Sequence, residues 1–136
     1  MIIDSRAAPY AVLILRVALG LLFLTHAAIK IFVFTPAGTA RYFSSLGLPP
    51  SLAYFIIALE LLGGLALVLG LWPRIVALAM IPELIGTIVV VHGDKGFMFS
   101  NPKGGWEFSV FWIVMLAVFA MLGDGPYALK QTRWRS

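Results

Sequence analysis

The chain has 136 residues, of which 61% are hydrophobic and 12% charged, with a net charge of +4 and no cysteine. Its mean hydropathy of +0.98 lies well outside the range of soluble domains, and four membrane helices would leave no room for a soluble catalytic domain. The basic residues occur in ones and threes rather than in a run, which argues against a nucleic-acid surface and for membrane topology and attraction to anionic lipid. Lack of thiols excludes a catalytic dithiol, a Cys-ligated iron–sulfur cluster, c-type haem attachment and a structural disulfide.

In chain order, four apolar stretches cover residues 10–34, 51–71, 74–92 and 106–123. Each has about the length that crosses a hydrocarbon core of about 30 Å. The pattern predicts an all-α polytopic membrane protein, a four-transmembrane-helix bundle forming one domain over 1–136. The first stretch is longer than a signal-peptide core and is interrupted by Arg16 and His26, so it is expected to be retained. Pro36 and Gly38 follow it, and the stretch through Arg41-Tyr42-Phe43 reads as a connection to Gly47-Leu48-Pro49-Pro50, which starts the second helix at the membrane surface. Trp72-Pro73-Arg74 is the tightest connection and makes helices two and three antiparallel neighbours. A polar, glycine-rich loop spans 93–105. Gly123-Asp124-Gly125-Pro126 closes the fourth helix, leaving a basic tail over 128–136 that carries Lys130, Arg133 and Arg135. Trp72, Trp106 and Trp134 fall at helix borders as interfacial anchors, while Trp112 lies deeper and packs.

Arg6, Arg74, Lys130, Arg133 and Arg135 fall on one side of this topology; Lys30, Arg41, Lys95 and Lys103 fall on the other. Lys30 can snorkel and counts little, so the balance places both termini in the cytoplasm. At 1.5 Å rise per residue, Glu60 and Glu83 both lie about 13 Å from their helix starts, near mid-membrane. His26 falls in the outer third, Lys30, His92 and Glu107 at the outer rim, and Arg16 in the inner third. His26 and Lys30 share a helix face, with Arg16 about 40° from Lys30. Glu60 shares its face with Gly63 and Gly64, which allow a close helix approach. On an ideal helix His92 is about 180° from Glu83, so only one of them faces the bundle centre unless Pro82 kinks the helix.

Ionisable residues are costly in a bilayer, about 2.5–3.5 kcal/mol each on insertion scales, and several together imply a shared polar interior. Each has a plain reading beside the functional one. Arg16 and Lys30 could snorkel or pair with Glu60 or Glu107 to hold helices together. His26, His92 and Glu107 could form a two-histidine, one-carboxylate metal set, or the two histidines could ligate haem, but no ligand-spacing motif supports either, and no metal site is expected. Glu60 is placed to carry a proton or to donate to a quinone carbonyl.

Arg16-Val-Ala-Leu-Gly20 followed by His26 and Lys30, then Glu60-Leu-Leu-Gly-Gly64 leading to Leu69-Gly70-Leu71 and Arg74, resemble the signature of the DoxX family of small four-helix membrane proteins. His92 before its loop, Trp106-Glu107 opening the last helix, and Gly123-Asp-Gly-Pro-Tyr127 closing it are similar in kind and order. The likeness covers about residues 11–129, with two departures: Ala27-Ala28 stand where glycine commonly follows the histidine, and Glu83 is not a residue the family requires. It implies a four-helix bundle in the bacterial inner membrane, association with quinone-linked or other redox partners, and Arg16, His26, Lys30, Glu60, His92 and Glu107 as the polar set that binds ligand or handles protons.

Three functions fit these expectations. In the first, the chain is a quinone-linked redox accessory subunit, with no cofactor of its own and at most a partner-dependent part in oxidoreduction. In the second, it is a small-solute or proton-coupled transporter, for which four helices without an internal repeat would need a homo-oligomer. In the third, it is an anchor or assembly scaffold whose polar set only locks the bundle. Alanine at His26 or Glu60 would impair folding and abundance together in the third, and function alone in the others.

Overall fold

The computed structural model describes residues 2–133; Trp134 and Arg135, expected as an anchor and as part of the basic tail, lie outside the described residues. The described chain is all-helical. Helix α1 (Ala8–Ala28) runs on through a π-helical turn (Ile29–Val33), α2 is Pro36–Ser45, α3 is Ser51–Leu69, α4 (Pro73–Thr87) ends in a second π-helical turn (Ile88–His92), and α5 is Glu107–Leu122. Three of these, Ala8–Val33, Ser51–Leu69 and Pro73–His92, are long and apolar enough to cross a membrane, and the apolar α5 is shorter.

The long helices close a ring in which α1 packs on α3, α3 on α4, α4 on α5, and α5 back on α1. Leu19, Phe23, Leu67, Met80, Leu84, Trp112, Leu116 and Phe119 fill its centre. Large apolar side chains such as Phe32, Val89 and Met121 cover the outside, each more than three-quarters exposed or close to it at 82%, 75% and 81%. Such a surface would be a liability in water and is the expected one in lipid.

Two close approaches set the register. At the α1–α3 crossing, a Cβ on Gly20 would come within 2.8 Å of the Gly64 carbonyl oxygen, and one on Gly64 within 2.9 Å of that of Gly20. Only hydrogen fits there, which accounts for the small residues at this contact. Between α3 and α4, a Cβ on Gly63 would meet Met80 Sδ at 2.6 Å, so these two residues lie level.

The connection read as irregular around Arg41 is the short helix α2. Thr35 caps it, its Oγ1 accepting from the Gly38 amide at 3.1 Å, and Pro36 occupies the first turn where no amide donor is needed. The first helix also starts two residues earlier than expected, with Pro9 in its first turn. The tail is not free along its described length. The Lys130 amide donates to Gly70 O at 3.0 Å, and Lys130 O accepts from the Trp72 amide at 2.9 Å, which stitches the segment across the α3–α4 turn.

Candidate functional site

The level placement of Gly63 and Met80 fixes what lies above them. In antiparallel helices, three residues further toward the end that carries the loop over 93–106 is Glu60 on α3 and Glu83 on α4, about 4.5 Å up in each case. Their carboxyl groups lie close enough to interact directly. Two neighbouring carboxyl groups repel when both are charged and can hydrogen-bond when one carries a proton. No N–H or hydroxyl donor meets Glu60 Oε2 or Glu83 Oε2. The other oxygen of Glu60 accepts from the Lys30 ammonium at 2.8 Å, in an ion pair whose carboxylate side chain is 3% exposed.

Lys30 reaches this layer from above. Helical side chains lean toward the helix N-terminus, which on α1 is toward the bundle middle. Lys30 also sits in the π-helical turn, whose extra backbone width is common beside functional residues. Thr39 of α2 braces that turn, its hydroxyl shared between Lys30 O at 3.3 Å and Thr35 O at 2.9 Å.

His26, one turn before Lys30, lies within electrostatic reach of both Lys30 and Glu60. Its ring stands 4.9 Å from Trp112 and 6.3 Å from Phe108, both on α5. Trp112 is 4% exposed and its indole Nε1 has no acceptor. The four long helices thus each contribute to a single polar layer: His26 and Lys30 from α1, Glu60 from α3, Glu83 from α4 and Trp112 from α5. Three buried polar atoms in it, Glu60 Oε2, Glu83 Oε2 and Trp112 Nε1, are left for something other than the surrounding donors and acceptors. Unsatisfied buried polar groups are costly, and three of the five such side-chain atoms among the described residues fall in this layer, the other two being Arg16 Nε and Asp124 Oδ1 at the far end.

Other expected site residues are placed elsewhere. Arg16 is 1% exposed and lies about 21 Å below Lys30 along α1. Its Nη1 donates to Asp124 O at 2.7 Å and Pro126 O at 3.2 Å, fastening the turn after α5 beneath the bundle. His92 donates from Nδ1 to Gly104 O at 2.8 Å. Glu107 Oε1 accepts from the Phe99 amide at 3.2 Å. Both therefore brace the loop over 93–106, itself closed by Glu107 N to Phe97 O and Trp106 N to Gly96 O at 3.0 Å each. Among the described residues, His26, His92 and Glu107 are not gathered into a three-ligand metal group.

Of the two candidates on α4, then, Glu83 takes the interior and His92 the loop. Glu83 is the residue that sequence reasoning left out of the site. The available signal was depth: it stands as far from the start of its helix as Glu60 does from its own, and helices joined by Trp72-Pro73 must set them side by side.

The DoxX family model matches residues 11–93, which hold every residue of this layer except Trp112. A Bacillus subtilis (strain 168) protein named "Putative oxidoreductase CatD" is 36% identical over 125 residues, 92% of this chain and 88% of that one. The Escherichia coli (strain K12) "Inner membrane protein YphA" is 36% identical over 90 residues, 65% and 63% of the two chains. A Haemophilus influenzae protein of uncharacterized role is 27% identical over 122 residues, 89% of each. No solved structure matches.

Proposed function

Because the chain belongs to the DoxX family and is a membrane protein, we propose that it is an accessory subunit of a quinone-linked or related redox system, built around the polar layer described above. In this reading α5 is a fourth span, both termini are cytoplasmic, and the membrane is the bacterial inner membrane, as the name of the Escherichia coli relative suggests. The observation that carries it is the contact of Lys30, Glu60 and Glu83 at mid-membrane. A lysine, a carboxylate and a protonated carboxyl sum to zero charge, which makes the cluster tolerable in lipid while keeping one movable proton.

A quinone headgroup fits the residues present. Its carbonyl oxygens need donors and its quinol hydroxyls need acceptors. The unpartnered Trp112 Nε1–H, the His26 ring and the Glu83 carboxyl supply both, beside the aromatic faces of Phe108 and Trp112. Quinone, when bound, supplies the two-electron, two-proton couple. Glu83 holds the proton it shares with Glu60, Lys30 fixes the Glu60 carboxylate, and His26 stands between this pair and the aromatic wall. Electrons come from a partner oxidoreductase, a role for which the name of the Bacillus subtilis relative is the hint.

Native mass spectrometry of detergent-purified protein, with a short-chain ubiquinone analogue added, tests this. The wild type is expected to retain quinone, and Glu83→Gln and His26→Ala to lose it at unchanged abundance. Wild-type protein that stays empty, or variants that bind as well as wild type, would overturn the quinone reading. Loss of abundance in His26→Ala and Glu83→Gln alike would instead favour a scaffold held by its polar layer.

A further inference from the structure

At the end of the bundle opposite the outer loop, Trp72, Leu129, Lys130, Gln131, Thr132 and Arg133 line a recess of about 530 Å³. That volume is in the range of small-molecule sites rather than of a single ion. The chemistry of its wall is cationic. Lys130 and Arg133 are exposed, and α4 begins directly after Trp72, so the positive end of that helix adds to the field. The neighbouring carboxylate, Asp124, accepts from the Thr132 amide through Oδ2 at 2.7 Å and lies within electrostatic reach of Arg16.

The backbone that carries the cations is also pinned. Leu129 and Lys130 donate their amides to Leu69 O and Gly70 O at 3.3 and 3.0 Å, Trp72 donates to Lys130 O, and the Arg74 amide donates to Thr132 Oγ1 at 3.3 Å. A basic segment pinned to the α3–α4 turn keeps its charges at one height above the helix ends. Trp72 is 51% exposed at that border, with an apolar ring body and one indole donor. This combination of a border tryptophan, two exposed cations on a pinned backbone and a polar recess suits a group that is anionic at the top and apolar below.

We infer that this recess seats the phosphodiester headgroup of an anionic phospholipid, with Lys130 and Arg133 on the phosphate and Trp72 against the glycerol and upper chain. The shared chemistry, a phosphate oxyanion, could also come from free phosphate, and the measurement separates the two. Delipidated protein in detergent is titrated with phosphatidylglycerol or phosphatidylcholine and read by native mass spectrometry. Phosphatidylglycerol is expected to bind the more tightly, and Lys130→Gln and Arg133→Gln each to weaken it about fivefold, the usual weight of one cation at an anionic surface. The double substitution Lys95→Gln/Lys103→Gln, at the opposite end, is expected to leave binding unchanged, and a large excess of inorganic phosphate to displace no lipid. Equal binding of the two lipids, a Lys130→Gln/Arg133→Gln protein that binds as wild type, or displacement by inorganic phosphate would each overturn the assignment.

Discussion

At the end of the bundle where α1 and α4 begin, guanidinium groups donate to main-chain carbonyls, the buried Arg16 to those of residues 124 and 126 and the half-buried Arg74 through Nε to Ala120 O at 2.7 Å, while Arg16 Nε and Asp124 Oδ1 stay unpartnered. Half-way across, Lys30, Glu60 and Glu83 meet one another instead, and three polar atoms in their layer find no donor or acceptor of their own. A carbonyl neither gains nor loses a proton, so the hydrogen bonds of the first arrangement fasten chain to chain. The second is made of groups that change protonation state. The contrast separates charges that build the fold from charges that are available for chemistry, although all of them look alike as intramembrane ionisable residues.

The largest effect should come from breaking the ion pair. Glu60→Ala deletes the carboxylate that meets the Lys30 ammonium at 2.8 Å and is expected to cost up to about 3–5 kcal/mol in unfolding measured in mixed micelles, less if Glu83 ionises to take its place. Lys30→Met added to Glu60→Leu should recover most of that loss, because an apolar pair of similar volume carries no desolvation penalty. A double variant as unstable as the single one would mean that the layer, too, is structural. This also moves the test that separates scaffold from function. Glu60 is expected to affect stability under either reading, so His26 and Glu83 are the informative positions.

Next is Arg16. Arg16→Ala removes two charge-assisted hydrogen bonds to the turn after α5, and a loss of about 2–3 kcal/mol is expected. Limited proteolysis should then cut within 124–132 while quinone retention by the remaining folded protein is unaltered. Arg16→Lys should rescue only part, since an ammonium lacks the planar fork that reaches both carbonyls. If Arg16→Lys abolished ligand retention at full stability, the division between fastening and chemical charges would fail.

How far the sequence reached follows the same division. The all-helical class and three segments of spanning length were legible from hydropathy because a bilayer demands length and apolarity of each segment. Within the candidate site, Lys30 reaches Glu60 at 2.8 Å although the sequence reading sets one at the outer rim and the other near mid-membrane, a gap that a long side chain leaning toward its helix N-terminus closes. Arg16 shares the face of Lys30 by phase but lies a span's depth away, and phase without depth misleads. His92 and Glu107 fall near the right depth, yet the loop over 93–106 claims them through Gly104 O and the Phe99 amide, and no periodicity reports loop hydrogen bonds. The two π-helical turns also shift the phase at Lys30 and His92, a change invisible to an ideal 100° wheel. Helix α2 was marked by its Thr35-Pro36 start, but its ten residues carry too little apolar pattern to stand out among turn residues.

A smaller loss is expected at the loop. His92→Ala deletes the bond to Gly104 O, worth about 1 kcal/mol. Faster amide exchange across 93–106 should accompany it, with the mid-membrane layer as protected as in wild type. Protection lost at Glu60 or Glu83 as well would join the loop and the layer into one unit.

The smallest stability change, and the most telling, belongs to Glu83→Gln. The amide keeps the volume and can still donate to the Glu60 carboxylate, so the Lys30–Glu60 pair remains supported and unfolding should shift by no more than about 1 kcal/mol. What the variant loses is the proton that can move: an amide donates without releasing. Reaction with a hydrophobic carbodiimide, which modifies protonated carboxyl groups, followed by mass spectrometry, should label wild type in α4 and leave Glu83→Gln unlabelled at comparable stability. Labelling confined to α3 would place the proton on Glu60 and reverse the roles of the two carboxyls. Absence of labelling in the wild type would mean that the mid-membrane layer holds its charges as firmly as the carbonyl-bound guanidinium groups below it.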